Sequence, residues 1–250
     1  MILIVGSTHD DVLYFESKLR NKSEELLFGK FPYVVGTMFS QQIGVVYGAY
    51  TNYLSSIITS TILAKNYVVL VINVGKCSAF SPSINSGDIV ISRQAFLGEV
   101  NQVGVEDAIL GQVPTCPPFY TPDAYVLQLM NECFNKIVKK SILKFGTYIS
   151  IEKNVNSKEA MAKISSNSGI VFGNKDDIVV DCVTGGVALA TYLQNIPFIS
   201  VEVVDGQIDQ KRSISHYVEV LKQYSDLGKA VTSFIGEISR NEVISGSREQ

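Results

Sequence analysis

Apolar positions along the chain follow two periods. Short β-branched runs closed by turn residues occur at Ile2–Val5, Tyr33–Met38, Gly44–Tyr47, Val68–Val74, Asp88–Ser92, Thr147–Ile151, Ile178–Val180 and Phe198–Val204, and predict strands. Several are apolar throughout, as expected of strands covered on both faces in a mostly parallel or mixed sheet. Between them, segments of helical period span Asp10–Asn21, Thr51–Lys65, Asp123–Lys139, Lys158–Ser165, Val183–Gln194 and Ser213–Ile238. Pro122 before Asp123 suits a helix start, because proline loses nothing where the amide would be unpaired. The alternation predicts one α/β domain, a mixed twisted central sheet flanked by helices over residues 1–240, with 241–250 as a C-terminal tail. Crossovers should be right-handed and any ligand should sit at the carboxyl ends of the strands. Those ends carry Gly6-Ser-Thr-His-Asp-Asp11, Asn73-Val-Gly-Lys-Cys-Ser78, Asn154-Val-Asn156, Asp181-Cys-Val-Thr-Gly-Gly186 and Glu202-Val-Val-Asp-Gly206.

Composition narrows the function classes. A chain of 250 residues, 46% hydrophobic and 18% charged, can close around one substantial core. The net charge of -3, with scattered Lys and Arg, gives no electrostatic footprint for nucleic acid. No apolar run reaches the roughly 18 residues of a membrane span, and the first residues read as a buried strand rather than a signal segment. Cys77, Cys116, Cys133 and Cys182 form no CxxC pair and read as free thiols in a reducing cytoplasm. His9 and His216 lack metal-site spacing, and neither a GxGxxG nor a P-loop string occurs, so no metal or cofactor is expected. Gly185 and Gly186 open a helix, a geometry that binds phosphate in other folds.

The most specific strings are Val71-Ile-Asn-Val-Gly75, then Ser81-Pro82, Ser86-Gly-Asp-Ile-Val-Ile-Ser92 and Gly111-Gln-Val-Pro-Thr-Cys-Pro117. The first three resemble, with matching spacing, the "INTG…P…VGDIVVS" block of the methylthioadenosine/S-adenosylhomocysteine nucleosidases, of the nucleoside phosphorylase superfamily. The fourth resembles that family's "GQLPGCP" loop. Val180-Asp-Cys-Val-Thr-Gly185 falls on "VEMEA" and Ile196–Gly206 on "VPFVVVRAISD". The resemblance implies a nucleosidase-like fold and hydrolysis of the bond between adenine and ribose. In such a reaction an aspartic acid protonates the departing purine and a glutamate near the first glycine turn orients water. It also implies a homodimer in which the loop at Gly111–Tyr120 reaches the partner's pocket.

Transferred residue by residue, the resemblance implies an altered pocket. Asp11 replaces the water-orienting glutamate, Val183 the ribose-binding glutamate, Glu202 an arginine and Asn154, beside Val155, the adenine-stacking phenylalanine. Lys76, Cys77 and Ser78 replace a Ser-Ala-Gly run, and the general acid falls on Gly206, with Asp205 its neighbour. Since consecutive side chains of a strand face opposite ways, Asp205 addresses the pocket only if a bulge intervenes.

Asp205 therefore reads as the general acid or as a cap of the following turn, and Asp11 as the water-orienting group or as a helix cap. Asp181, with Cys182 beside it in the candidate substrate-binding set, reads as a ligand-hydroxyl partner or, preferably, as a cap of the helix beginning near Val183, and Lys76 and Glu202 pair with each other or with a ligand, or reach solvent separately. Tyr47, Tyr50 and Tyr53 read as core packing ahead of a ligand mouth. Three functions stay open: a nucleosidase of methylthioadenosine or S-adenosylhomocysteine, a binding or regulatory protein on the same scaffold, and a nucleosidase for a substrate lacking the ribose diol.

Overall fold

The computed structural model describes residues 1–153, 157, 159, 177–208 and 214–240, and the backbone alone of 214–217 and 219. The chain runs β1 (Ile2–Gly6), α1 (His9–Lys18), β2 (Arg20–Leu27), β3 (Phe31–Met38), β4 (Gln41–Tyr47), α2 (Asn52–Lys65), β5 (Leu70–Ala79) and β6 (Ile89–Leu97). It continues through α3 (Ala124–Ile137), β7 (Leu143–Ser150), β8 (Ile178–Asp181), α4 (Thr184–Tyr192), β9 (Phe198–Gln207) and α5 (Ile214–Arg240). The strands form one mixed sheet in the order β2-β3-β4-β1-β5-β8-β7-β6-β9. Because β9 also pairs with β5, the strands β5, β8, β7, β6 and β9 close into a ring.

The uniformly apolar strands are explained by a core on each face of the sheet. Ile2 and Ile4 of β1 point into a cluster built with α1, α3 and α5, where Phe15, Met130 and Phe234 are buried. Leu3 and Val5 point the other way, against Ile58 and Ile62 of α2 and Val187 of α4. Successive side chains of a strand alternate, so a strand with two covered faces has no polar position to spare. Asp123 starts α3 as expected, its Oδ1 accepting the amides of Tyr125 at 2.9 Å and Val126 at 3.1 Å.

Every expected strand appears, with shifted bounds, and so do five of the expected helices; the segment 158–165 lies outside the described residues, as does the tail at 241–250. One expectation is corrected. The helix read to Asn21 ends at Lys18, and Arg20–Leu27 is a strand at the open edge of the sheet. Residues 20–26 are exposed on both faces, so the alternation that betrays a half-buried strand is missing.

Candidate active site

β5 and β9 run parallel and in register from Val71 opposite Phe198 to Cys77 opposite Val204, and resume with Ala79 opposite Gln207. One residue of β5, Ser78, thus faces two of β9, Asp205 and Gly206. This is a β-bulge, and Gly206 takes φ +124°, a left-handed backbone that glycine adopts at little cost. The extra residue resets the alternation of side chains. Asp205 is consequently a wall residue of a cavity of about 280 Å³, together with Lys76, Cys77, Ser78, Asp181 and Cys182. The cavity opens at the carboxyl ends of β5, β7, β8 and β9, where the topology places ligands.

Beyond the wall residues Asp181 and Cys182 the chain enters α4. The Asp181 Oδ2 accepts the amides of Val183 at 3.1 Å and Thr184 at 2.6 Å, the Ser150 hydroxyl accepts the Gly185 amide at 2.7 Å, and Asn52 Oδ1 accepts that of Gly186 at 3.0 Å. All four leading amides are satisfied by protein groups, so this helix end offers no phosphate seat. The glycines serve packing instead: a Cβ on Gly186 would stand 2.2 Å from the Asn52 carbonyl oxygen and the Ser55 hydroxyl. Capping is thus the observed role of Asp181, whose side chain also accepts the Ser150 hydroxyl. Burial raises its carboxyl above the ordinary value, against the pull of these donors.

Behind the wall lies a buried polar cluster that sequence reading did not assemble. Asn73 Nδ2 is 2.8 Å from Glu202 Oε1, 2.8 Å from the Ser200 hydroxyl and 3.0 Å from that of Thr184. Glu202 is 2% exposed and its Oε2 has no hydrogen-bond partner among the described residues. Burial first, then the charge of Asp181, holds this carboxyl well above the ordinary range, against the pull of Asn73 and Thr184. The idea that Glu202 pairs with Lys76 is corrected: Lys76 is exposed, its ammonium 5.8 Å from the Tyr224 ring centre.

Asp11 is also nearly enclosed, 3% exposed. Its Oδ2 accepts the Thr8 amide at 2.7 Å, the capping role, and its Oδ1 accepts the Tyr224 hydroxyl at 2.7 Å. Asp11 and Glu202 converge behind Gly75: a Cβ built there would lie 3.6 Å from Glu202 Oε1 and 4.0 Å from Asp11 Oδ2. Asp11, Glu202, Val183 and Gly206 are not wall residues of the cavity. Val183 is buried in the core shared with α2, while Asn154 and Val155 lie outside the described residues.

The two wall thiols are poor nucleophiles. Burial, with Glu202 and Asp181 adding, raises Cys77, and burial with Asp181 pushes Cys182 up to about 12. Tyr50 is a wall residue, and both it and Tyr53 are exposed, which corrects the core-packing reading for these two. His9 hydrogen-bonds Glu16 at 3.0 Å on the surface of α1.

The model of the phosphorylase superfamily matches residues 2–236. This chain belongs to that superfamily. Over 217 residues it is 24% identical to a 5'-methylthioadenosine/S-adenosylhomocysteine nucleosidase of Staphylococcus epidermidis, covering 86% of this chain and 90% of the relative. Among solved structures, the methylthioadenosine/S-adenosylhomocysteine nucleosidase of Neisseria meningitidis, in complex with methylthio-immucillin-A, superposes with TM-score 0.82 at 18% identity, covering 94% of this chain and 98% of that one. The futalosine hydrolase of Helicobacter pylori superposes with TM-score 0.80 at 20% identity, covering 94% and 97%. Within the superfamily fold, the residues that sequence reading missed are Thr184, Ser200 and Tyr224. Thr184 sits in a string already singled out for its place at a strand end, and Ser200 in the string Ile196–Gly206 that carried part of the resemblance. Tyr224 lies in a long amphipathic segment and gave no signal, since its partner is 213 positions away.

Proposed function

We propose that this superfamily member is a nucleosidase, hydrolysing the N-ribosyl bond of an adenosine-type nucleoside such as methylthioadenosine or S-adenosylhomocysteine. The observation that carries the reading is the bulge at Asp205 and Gly206, which turns a carboxyl group to the cavity wall at the ends of the strands. There Asp205 would protonate the leaving purine while Asp11 orients the attacking water from behind Gly75. The buried Val183 can accept no hydrogen bond from a ribose diol, which favours testing substrates without one as well. The names of the similar nucleosidases point the same way.

The test is release of free base from methylthioadenosine, S-adenosylhomocysteine and deoxyadenosine derivatives by the pure protein at high concentration. Release by the wild type, lost by at least about a hundredfold in Asp205→Asn with the melting temperature retained, supports the reading. No release from any of them, with adenine still raising the melting temperature, would leave a binding protein on a nucleosidase scaffold.

We also propose a homodimer in the cytoplasm. Exposed Tyr53, Val103, Phe119, Tyr192 and Leu193 supply apolar surface suited to a second copy. The four free thiols suit a reducing compartment. No helix among the described residues is long and apolar enough to cross a membrane.

A further inference from the structure

We propose that Tyr224, reaching in from α5, is the positioning residue that fixes the Asp11 carboxylate toward the space behind Gly75. Asp11 is held at one oxygen by the Thr8 amide of its own turn, at 2.7 Å. That single local bond leaves the other oxygen undirected. The Tyr224 hydroxyl, donated at 2.7 Å from the far end of the sequence, supplies the second constraint, and a hydrogen bond to an ionised acceptor is among the stronger kinds. With both bonds made, the side chain has one orientation, and each oxygen keeps a lone pair for a further donor.

Several features hold Tyr224 to this task. Its phenol is raised far above the ordinary value by burial and by Asp11 itself, so it remains a donor throughout the working pH range. Its ring packs on the core beneath α1 and α5, with the Lys76 ammonium 5.8 Å from the ring centre. One turn along the same face of α5 stands Gly228, against which Tyr14 of α1 packs; Tyr14 in turn lies one turn beyond Asp11. A Cβ at Gly228 would meet the Tyr14 ring at 2.5 Å, so only glycine lets the two helices approach this closely. The crossing of α1 and α5 is thereby registered so that Tyr224 meets Asp11.

The consequence for catalysis rests on the nucleosidase reading, in which Asp11 orients water. Tyr224→Phe keeps the ring and removes only the donor. On the best substrate we expect kcat to fall on the order of tenfold with KM unchanged, since the bond serves the attacking water rather than substrate binding. In an Asp11→Asn background the same replacement should cost no more than about twofold, because the two residues act as one unit. A fall in melting temperature with unchanged kcat, or additive losses in the double variant, would overturn the proposal by showing a merely structural contact. If the wild type releases no base at all, the nucleosidase reading fails by itself. Crystal structures of wild type and Tyr224→Phe then decide the positioning: a rotated Asp11 side chain in the variant upholds it, and an unmoved one overturns it.

Discussion

Glu202 illustrates how much a single buried proton can govern. A carboxyl group 2% exposed, with one oxygen unpartnered among the described residues, is pushed by burial toward its neutral form. Its folded pKa stands well above the ordinary 4.5, which the unfolded chain recovers. Unfolding above pH 4.5 therefore releases a proton, and stability falls as pH rises from that value toward the folded pKa. The slope contributed by this one group is at most about 1.4 kcal/mol per pH unit. Glu202→Gln, which mimics the neutral acid, should flatten that decline above pH 4.5 in urea unfolding followed by circular dichroism. An unchanged slope would mean that Glu202 is ionised. At this scale the sequence was only partly legible. The wall positions Lys76, Cys77, Ser78, Asp181 and Cys182 could be read from strand ends, because topology gathers those ends, whereas Asp205 needed the bulge as well. The protonation of Glu202 and its bonds to Asn73 and Thr184 could not, since they depend on packing that removes water.

Two elements set the site, the bulge of β9 and the start of α4. The alternation of apolar residues made β9 legible as a strand, yet the same rule applied without a bulge would aim Asp205 away from the cavity. Gly206 was the visible clue, because glycine at a strand end permits the positive φ that a bulge uses. The paired glycines of α4 had two explanations in sequence terms, an anion seat or close packing, and the Cβ clearances decide for packing. Gly186→Ala should therefore destabilise by roughly 1–3 kcal/mol or more, the usual cost of overpacking, and spread α4 from α2. Thermal unfolding would check it; a neutral effect would mean that the helices yield freely. The edge strand β2 was illegible for the opposite reason. Both of its faces meet water, so no pattern is imposed on Arg20–Glu25.

At the scale of the molecule, the fold was legible in its alternation of strands and helices, and more sharply in the strings around Asn73, Asp88 and Gly111. The proposed association of two copies rests on resemblance, because a loop rich in proline and aromatic residues fits several roles. The exposed Phe119, at 42%, makes the proposed association testable. Sedimentation of Phe119→Ser should show a weakened dimer with dissociation shifted by about tenfold or more, the loss typical of an aromatic anchor. A wild type that sediments as a monomer would end that proposal.

Closing five strands into a ring has one more consequence, for how copies of this chain avoid each other during folding. A ring hides the unpaired amides and carbonyls that a free strand would offer as a template, so the risk of uncontrolled growth from strand to strand is concentrated at β2. That strand exposes Arg20, Lys22, Glu24 and Glu25, with Leu26 as its exposed apolar residue. The charges that hid it from pattern reading are the same ones that keep a neighbouring molecule from adding another strand.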